Sequence, residues 1–407
     1  MKIIDGGVTA PAGFSAAGVC AGIKKGDKKD MAMVYSSAPC TAAGVFTTNM
    51  VKAAPVQWDK LVVDTAPFVQ AVVVNSGVAN ACTGTEGYGY CEQMAACTGE
   101  KLGIPKESVL VASTGVIGRQ LPIDTICSGI GLLSENLQDT REAGKLAAEA
   151  IMTTDTRSKE VAVETQIGGK TVKVAGMCKG AGMIHPNMAT MLCFIVTDAA
   201  ISHEMLQKAL SRDVQDTFNM ISVDGDTSTN DTALVMANGL AGNETITTEG
   251  ADYDAFYEAL HYIMEELSKK IAGDGEGCTC LLEVQVKGAA TKEDARILSK
   301  SVVCSSLTKA AVFGHDANWG RILCALGYSG VTFDPEQVDI WLESSAGTLK
   351  IVENGVDTGY SEEFATEILS KEHVIAIADM KMGDAEATAW GCDLTYEYVK
   401  INGDYRS

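Results

Sequence analysis

The sequence is short of positive charge. Among its 407 residues, 32 Lys and Arg stand against 53 Asp and Glu, a formal net charge of −21. A chain without a basic surplus offers no electrostatic footprint for nonspecific binding to nucleic acid or to an anionic membrane. The same deficit repels an anionic substrate at long range, so a site for one needs a local cation, and Lys179 is a candidate. Apolar runs of about 18 residues are missing, so no membrane-spanning helix is expected. The start, Met1-Lys-Ile-Ile-Asp-Gly-Gly, lacks the apolar core and cleavage pattern of a signal peptide. There is no Walker phosphate loop, no Gly-x-Ser-x-Gly elbow and no His-Glu-x-x-His helix, and five scattered histidines give little support to a Ser-His-Asp triad. Thirteen cysteines, an odd number widely spaced in a long chain, read as reduced thiols of a cytoplasmic protein. Cys278 and Cys280 form the one close pair, without a second Cys or His pair at ligand spacing, so no metal site is expected. Asp224, Asp226 and Asp231 lack the offsets of a calcium loop and read as a hydrogen-bonded turn.

What is present is an ordinary globular composition, 46% hydrophobic and 21% charged, with material for a large core. The length allows two or three average domains or one interwoven α/β unit. The informative stretch is Lys179-Gly-Ala-Gly-Met-Ile-His-Pro-Asn-Met-Ala-Thr-Met-Leu-Cys-Phe-Ile-Val-Thr197. Its first half is a loop, because Gly180 and Gly182 free the backbone and Pro186 keeps His185 out of a helix. Its second half is an unbroken apolar run, which predicts a strand covered on both faces. Thr190 therefore stands where a flexible loop meets a rigid strand. An N-terminal-nucleophile enzyme places its catalytic threonine at such a point: cutting the Ala189–Thr190 bond would release an α-amine with a pKa of roughly 7.7 to 8.0, able to act as base for the threonine hydroxyl. The plainer alternative is a threonine that opens a buried strand for its β-propensity alone.

Elsewhere, Met33–Ser36 and Gln70–Asn75 read as strands, the second ending in a turn that opens a loop from Asn75 to Asn80. Val109–Gly118 is a strand running into a glycine loop whose amides and hydroxyl are suited to an oxyanion. Residues 139–152 read as a helix with Asp139 and Glu142 at capping-box spacing, stopping at Thr153-Thr-Asp-Thr156. Gly168-Gly169 turns a hairpin. Ser202 caps a helix whose apolar positions recur through Phe218, residues 254–272 form a long amphipathic helix, and Thr291 with Asp294 starts another. Glu276 lies between two glycines in Asp274-Gly-Glu-Gly277, suited either to a ligand or to a simple turn. His315–Arg321 reads as a loop, either a buried ion-pair corner or a catalytic element, and Tyr396–Ile401 alternates as a strand before Asn402–Ser407.

The central stretch resembles the autocleavage site of the ornithine acetyltransferase family, also called bifunctional glutamate N-acetyltransferase. Similar segments span the chain: Asn75-Ser-Gly-Val-Ala-Asn80, Ser113-Thr-Gly-Val-Ile-Gly118, Thr153-Thr-Asp-Thr156, Asp224-Gly-Asp-Thr-Ser-Thr-Asn-Asp231, Asp274-Gly-Glu-Gly277, His315-Asp-Ala-Asn-Trp-Gly-Arg321 and the tail from Tyr398 to Ser407. The resemblance implies an α/β, N-terminal-nucleophile-like self-cleaving fold with mixed sheets sandwiched by helices, as in the ornithine acetyltransferase and aminopeptidase scaffold. It implies one interwoven unit over residues 1–407, cut into an α chain (1–189) and a β chain (190–407) that assemble as a heterotetramer of two each. By the same resemblance Thr190 is the nucleophile, Thr114 and Gly115 form the oxyanion hole, and Thr153, Lys179, Thr190, Glu276, Asn402 and Ser407 touch substrate. The implied reaction carries the acetyl group of N-acetylornithine to glutamate without an exogenous cofactor, acetyl-CoA being a further acetyl donor in some members. Two departures stand out: Cys278 and Cys280 where Ala and Lys are usual, and Ser407 for a terminal Thr. An amidase or aminopeptidase on the same scaffold, and a binding protein that never cuts itself, are the competing readings.

Overall fold

Runs of Val, Ala and Met build the first sheet of the computed structural model, which describes residues 1–185 and 191–404. Its strands are β1 (Lys2–Ile4), β2 (Phe14–Val19), β3 (Met31–Phe46), β4 (Val69–Val78), β5 (Val109–Val116), β6 (Lys159–Ile167), β7 (Lys170–Lys179), β8 (Leu192–Thr197) and β9 (Thr232–Ala237). They run in the order β1-β6-β7-β8-β9-β3-β4-β5, with β2 alongside β3. The long β3 makes this possible by changing partners along its length: its first half pairs with β2 and β4, and its last six residues pair with β9. The apolar run predicted to be a buried strand is β8. All six of its residues are buried, between antiparallel β7 and parallel β9 in mid-sheet.

Helices α1 (Ala54–Thr65), α2 (Glu86–Leu102), α3 (Ile123–Glu135), α4 (Arg141–Ala150) and α5 (His203–Asp213) pack on this sheet, and α6 (Ala251–Ala272) lays Ile263 and Leu267 against Gly176 of β7. Phe14, Met31, Val72, Leu110, Ile126, Ala147 and Phe194 are among the buried side chains of the core cluster they enclose. Ser202 caps α5 as expected, accepting from Met205 N, but the helix ends at Asp213 and Phe218 falls in a 3-10 turn. The cap of α4 is Thr140, whose hydroxyl accepts from Ala143 N, rather than Asp139 one residue earlier. Strand β4 does not stop at Asn75; it stays paired with β5 through Val78.

The described chain falls into two compact units, residues 1–180, 191–215 and 227–267 in the first and 181–185, 216–226 and 268–404 in the second. The second has its own mixed sheet of β10 (Leu281–Ala289), β11 (Asp339–Ser344), β12 (Gly347–Glu353), β13 (His373–Asp379) and β14 (Ala385–Cys392), with two-residue ladders at Val356–Asp357 and Ile221–Ser222 on its edges. Helix α7 (Lys292–Cys304), capped by Thr291 as the sequence predicts, lies on β10 and β14.

Two expectations fail here. The tail Tyr396–Gly403 is a helix, not a strand. Six alternating residues fit one helical face nearly as well as a pleat, and with Tyr396 83% and Val399 69% exposed there is no buried face for a strand to supply. The His315–Arg321 corner is not a buried ion pair: His315 and Asp316 are exposed, and the Arg321 guanidinium donates to the Leu307 carbonyl. Among the described residues no helix is long and apolar enough to cross a membrane.

Candidate active site

In the first unit the candidate oxyanion residues sit at the end of a parallel strand pair. Register places Ser76 beside Thr114 and Gly77 beside Gly115. Gly115 has φ +127° and Gly77 φ +108°, conformations L side chains rarely adopt. A Cβ on Gly115 would lie 2.3 Å from the Gly77 carbonyl carbon. Two glycines are thus the condition for the backbones to close up at this level. The preceding residue is pinned from both sides: Ser113 donates its hydroxyl to Asn75 Oδ1 at 2.6 Å, and Asn230 Nδ2 donates to the Ser113 carbonyl at 2.9 Å. Asn75 in turn donates to Val78 O at 2.8 Å, so the first Asn of the Asn75–Asn80 segment props up this strand end. Asn80 is buried in a turn with Thr83 and Gly87.

Thr153 and Lys179, also in the first unit, are joined through a residue the sequence reading passed over. Asp155, its side chain buried, accepts Lys159 Nζ and Gly180 N on one oxygen, both at 2.7 Å, and Thr153 N on the other at 3.0 Å, from which Lys179 Nζ stands 3.9 Å. Burial alone would push this carboxyl up; the charges of Lys179 and Lys159 and its hydrogen bonds outweigh that and hold it well below the usual carboxylate range. Asp155 thus stands between two buried ammonium groups in an otherwise acidic chain.

Two further residues join this cluster. Lys24 runs beside Gly77 and donates to the carbonyls of Lys29 and Met152 at 2.9 and 2.7 Å. Burial lowers its pKa to about 8, with Asp30 opposing and Lys179 reinforcing the shift. Asp231 precedes β9, whose Thr232 pairs with Leu192 and donates its N–H to Met191 O at 2.8 Å. Burial pushes the Asp231 carboxyl well above its ordinary value, hydrogen bonds from Ser228 and the charge of Lys179 only partly opposing, and one of its oxygens has no hydrogen-bond partner.

In the second unit Glu276 and Asn402 meet: Asn402 Nδ2 donates to the carboxylate at 2.6 Å. The C-terminal helix makes this possible, holding Asn402 by a second bond to the Tyr398 carbonyl one turn back. Glu276 N donates to Ala181 O at 2.8 Å, and its carboxylate fills the place where a side chain on Gly182 would be, 2.4 Å from that Cβ position. Asp224 fastens the same segment, accepting from Met183 N at 2.6 Å, Ile184 N at 2.9 Å and the Tyr398 hydroxyl at 3.2 Å. His185 shares its Nδ1 with Ser222 Oγ at 3.1 Å and Cys304 at 3.5 Å; burial, reinforced by Lys300, lowers its pKa to about 4, so the ring is neutral near pH 7. Cys278 donates to the Gly273 carbonyl and Cys280 is buried, and no group of metal-ligating side chains occurs among the described residues.

The structure thus brings Thr153 and Lys179 together around Asp155, and Glu276 together with Asn402. Thr114 and Gly115 share the first unit with the former pair. Ala189, Thr190 and Ser407 lie outside the described residues. Lys24 and Asp155 carry no sequence signal of their own, since each depends on burial; Asp231 reads in the sequence only as one acid of a polar turn.

Comparison with known proteins agrees with the motif resemblance. The chain is 54% identical over 409 residues to the arginine biosynthesis bifunctional protein ArgJ of Symbiobacterium thermophilum, covering 100% of both chains. It is 53% identical over 394 residues to ArgJ 1 of Clostridium acetobutylicum, covering 97% of this chain and 96% of the relative. Among solved structures, the ornithine acetyltransferase of Mycobacterium tuberculosis complexed with ornithine is 42% identical, with a TM-score of 0.43, over 46% of this chain and 99% of that one. The ArgJ family model matches residues 15–407, and with that span and those relatives the chain belongs to the ArgJ family.

Proposed function

We propose that the chain is a self-cleaving acetyltransferase of arginine biosynthesis, which moves the acetyl group of N-acetylornithine to glutamate through an acetyl-threonine intermediate. The observation that carries this reading is the family match over residues 15–407, which includes every motif of the proposed site. In maturation, the Thr190 hydroxyl attacks the Ala189 carbonyl, and water opens the resulting ester, leaving chains 1–189 and 190–407. In turnover, the freed α-amine takes the hydroxyl proton, and the oxygen attacks the acetyl carbonyl. Thr114 and the backbone at Gly115 receive the developing oxyanion. Ornithine departs and glutamate enters. The ester then passes its acetyl group to the glutamate amine.

The electrostatics of the first unit support these roles. A buried cation such as Lys179 near an α-amine lowers that amine's pKa, favouring the free base the mechanism needs. Lys24 adds to the positive field, and Thr153 completes the Asp155 cluster as a substrate contact. Glu276, Asn402 and Ser407 are the further substrate contacts that the family resemblance implies. No exogenous cofactor takes part, acetyl-CoA being an additional acetyl donor in some members of the family, and the working assembly is two α and two β chains.

Intact mass of the purified protein, wild type beside Thr190→Ala, tests the first stage. Two fragments divided before Thr190 in the wild type and a single chain in the variant are expected. A folded wild type that stays uncut removes the free amine and the mechanism with it. Double-reciprocal kinetics test the second stage: parallel lines are expected, and intersecting lines exclude the acetyl-enzyme cycle.

A further inference from the structure

Cys97 lies on α2 and Cys127 on α3, and their sulfur atoms approach to 2.6 Å. A disulfide closes to about 2.05 Å, whereas the smaller oxygen atom already keeps a donor nitrogen at about 2.9 Å. The two sulfurs therefore stand closer to bonding distance than to the contact distance of independent thiols. Both cysteines are half-buried, within reach of a small reagent, unlike the fully buried thiols of Cys40, Cys91 and Cys193. One turn further along each helix, Lys101 comes within 3.8 Å of where a Cβ on Gly131 would stand, so the two helices stay closely packed beyond the cysteines.

We propose that Cys97 and Cys127 form a reversible disulfide that staples α2 to α3. A low-molecular-weight disulfide is the oxidant. The Cys97 thiolate attacks one of its sulfurs, giving a mixed disulfide and releasing one reagent thiol. Cys127 then gives up its proton to solvent and attacks the Cys97 sulfur, which forms the protein disulfide and releases the second reagent thiol. The two protein thiols lose two electrons and the reagent gains them. Burial, followed by the hydrogen bond and charge of Cys97, pushes the Cys127 thiol up.

The position of the staple gives it a consequence. The cysteines are thirty residues apart, and the segment between them carries β5 with Thr114 and Gly115. Helices α2 and α3 also follow β4 and β5, and the turns that lead into them are already tied by Gly118 N to Ala81 O at 3.0 Å and Gln120 Nε2 to Thr83 O at 3.2 Å. A disulfide closes that loop covalently, restricting the unfolded chain while the folded helices need little movement. The proposal stands apart from the acetyl-transfer reading, since it concerns thiol chemistry at the helix pair.

The test is equilibration of the full chain in mixtures of oxidised and reduced glutathione, followed by acid quench, alkylation, digestion and mass spectrometry. A peptide joining Cys97 to Cys127 is expected under oxidising conditions, lost again on reduction, while the other cysteines are recovered alkylated. The oxidised protein is expected to melt several degrees higher than the reduced one, and Cys127→Ser to melt like the reduced wild type in both buffers. Full alkylation of both residues in the oxidising buffer overturns the proposal. So does a crosslink that joins either of them to a different cysteine, or a melting shift that survives in Cys127→Ser.

Discussion

Asp155 accepts the backbone N–H of Gly180 at 2.7 Å through the same oxygen that receives the Lys159 ammonium. The carboxylate therefore fixes the point at which β7 gives way to the glycine loop, while its other oxygen faces Lys179. Replacing it by Asn removes the anion that lies between the Lys159 and Lys179 ammonium groups. Breaking a buried pair in this way costs about 3–5 kcal/mol, and Asp155→Asn is expected to lose stability of that order in urea denaturation at pH 7. The pH dependence follows from the depressed carboxyl. Its stabilisation is fully present above the unfolded-state value of about 3.9 and is lost as pH falls through the lower folded-state value. Acid titration should narrow the gap between wild type and variant.

Thr114 is half-buried at the end of β5, with its backbone set by the Gly77–Gly115 contact rather than by its own side chain. Thr114→Ala is therefore expected to fold and melt like the wild type. Loss of one oxyanion donor lowers kcat by about 10²- to 10³-fold, with KM nearly unchanged. Steady-state kinetics on N-acetylornithine and glutamate give both parameters. An unaltered kcat would take Thr114 out of the oxyanion hole.

Lys24 makes a different prediction, because a lysine whose folded pKa is about 8 against 10.5 for the ordinary group is more easily deprotonated in the native state. Between those values the unfolded chain binds more protons, so stability rises with pH across that window. The contribution is complete above 10.5 and is lost as pH falls through about 8. In Lys24→Met this rise should disappear, and the difference between the wild-type and variant stability curves from pH 7 to 10.5 measures it.

Much of this scaffold was legible because local chemistry and global position agree. The unbroken apolar run from Met191 to Val196 suits a strand covered on both faces, and from Leu192 it is one. Ser202 and Thr291 announced their helices because an N-cap hydroxyl acts on the very next turn. The residues that were missed act at a distance. Lys24 sits in a lysine-rich stretch that reads as surface; it is drawn in because Asp30 accepts the N–H groups of Ala21, Gly22, Ile23 and Lys24 and folds that stretch back. The tail alternates over too few residues to separate a period of 2 from one of 3.6. As a helix it closes the Asn402–Tyr398 turn, which an extended strand would open.

Glu276 offers a test in which charge and position are varied separately. Glu276→Gln keeps the shape and an acceptor for Asn402 but removes the negative charge. Gly182→Ala keeps the charge but puts a methyl 2.4 Å from the carboxylate. The group that must yield is the end of a flexible side chain, so the fold is expected to survive with a melting temperature near that of the wild type, while the 2.6 Å contact to Asn402 is broken. If the carboxylate binds substrate, losing a hydrogen bond to a charged group worth about 1.5–3 kcal/mol raises KM roughly 10- to 150-fold in Glu276→Gln. Gly182→Ala should shift KM in the same direction by less. Cleavage before Thr190, followed by intact mass, should be retained in Glu276→Gln, since the charge serves turnover rather than maturation. Unchanged KM in both variants would leave Glu276 as a brace for the loop at Gly182 and remove it from the substrate contacts.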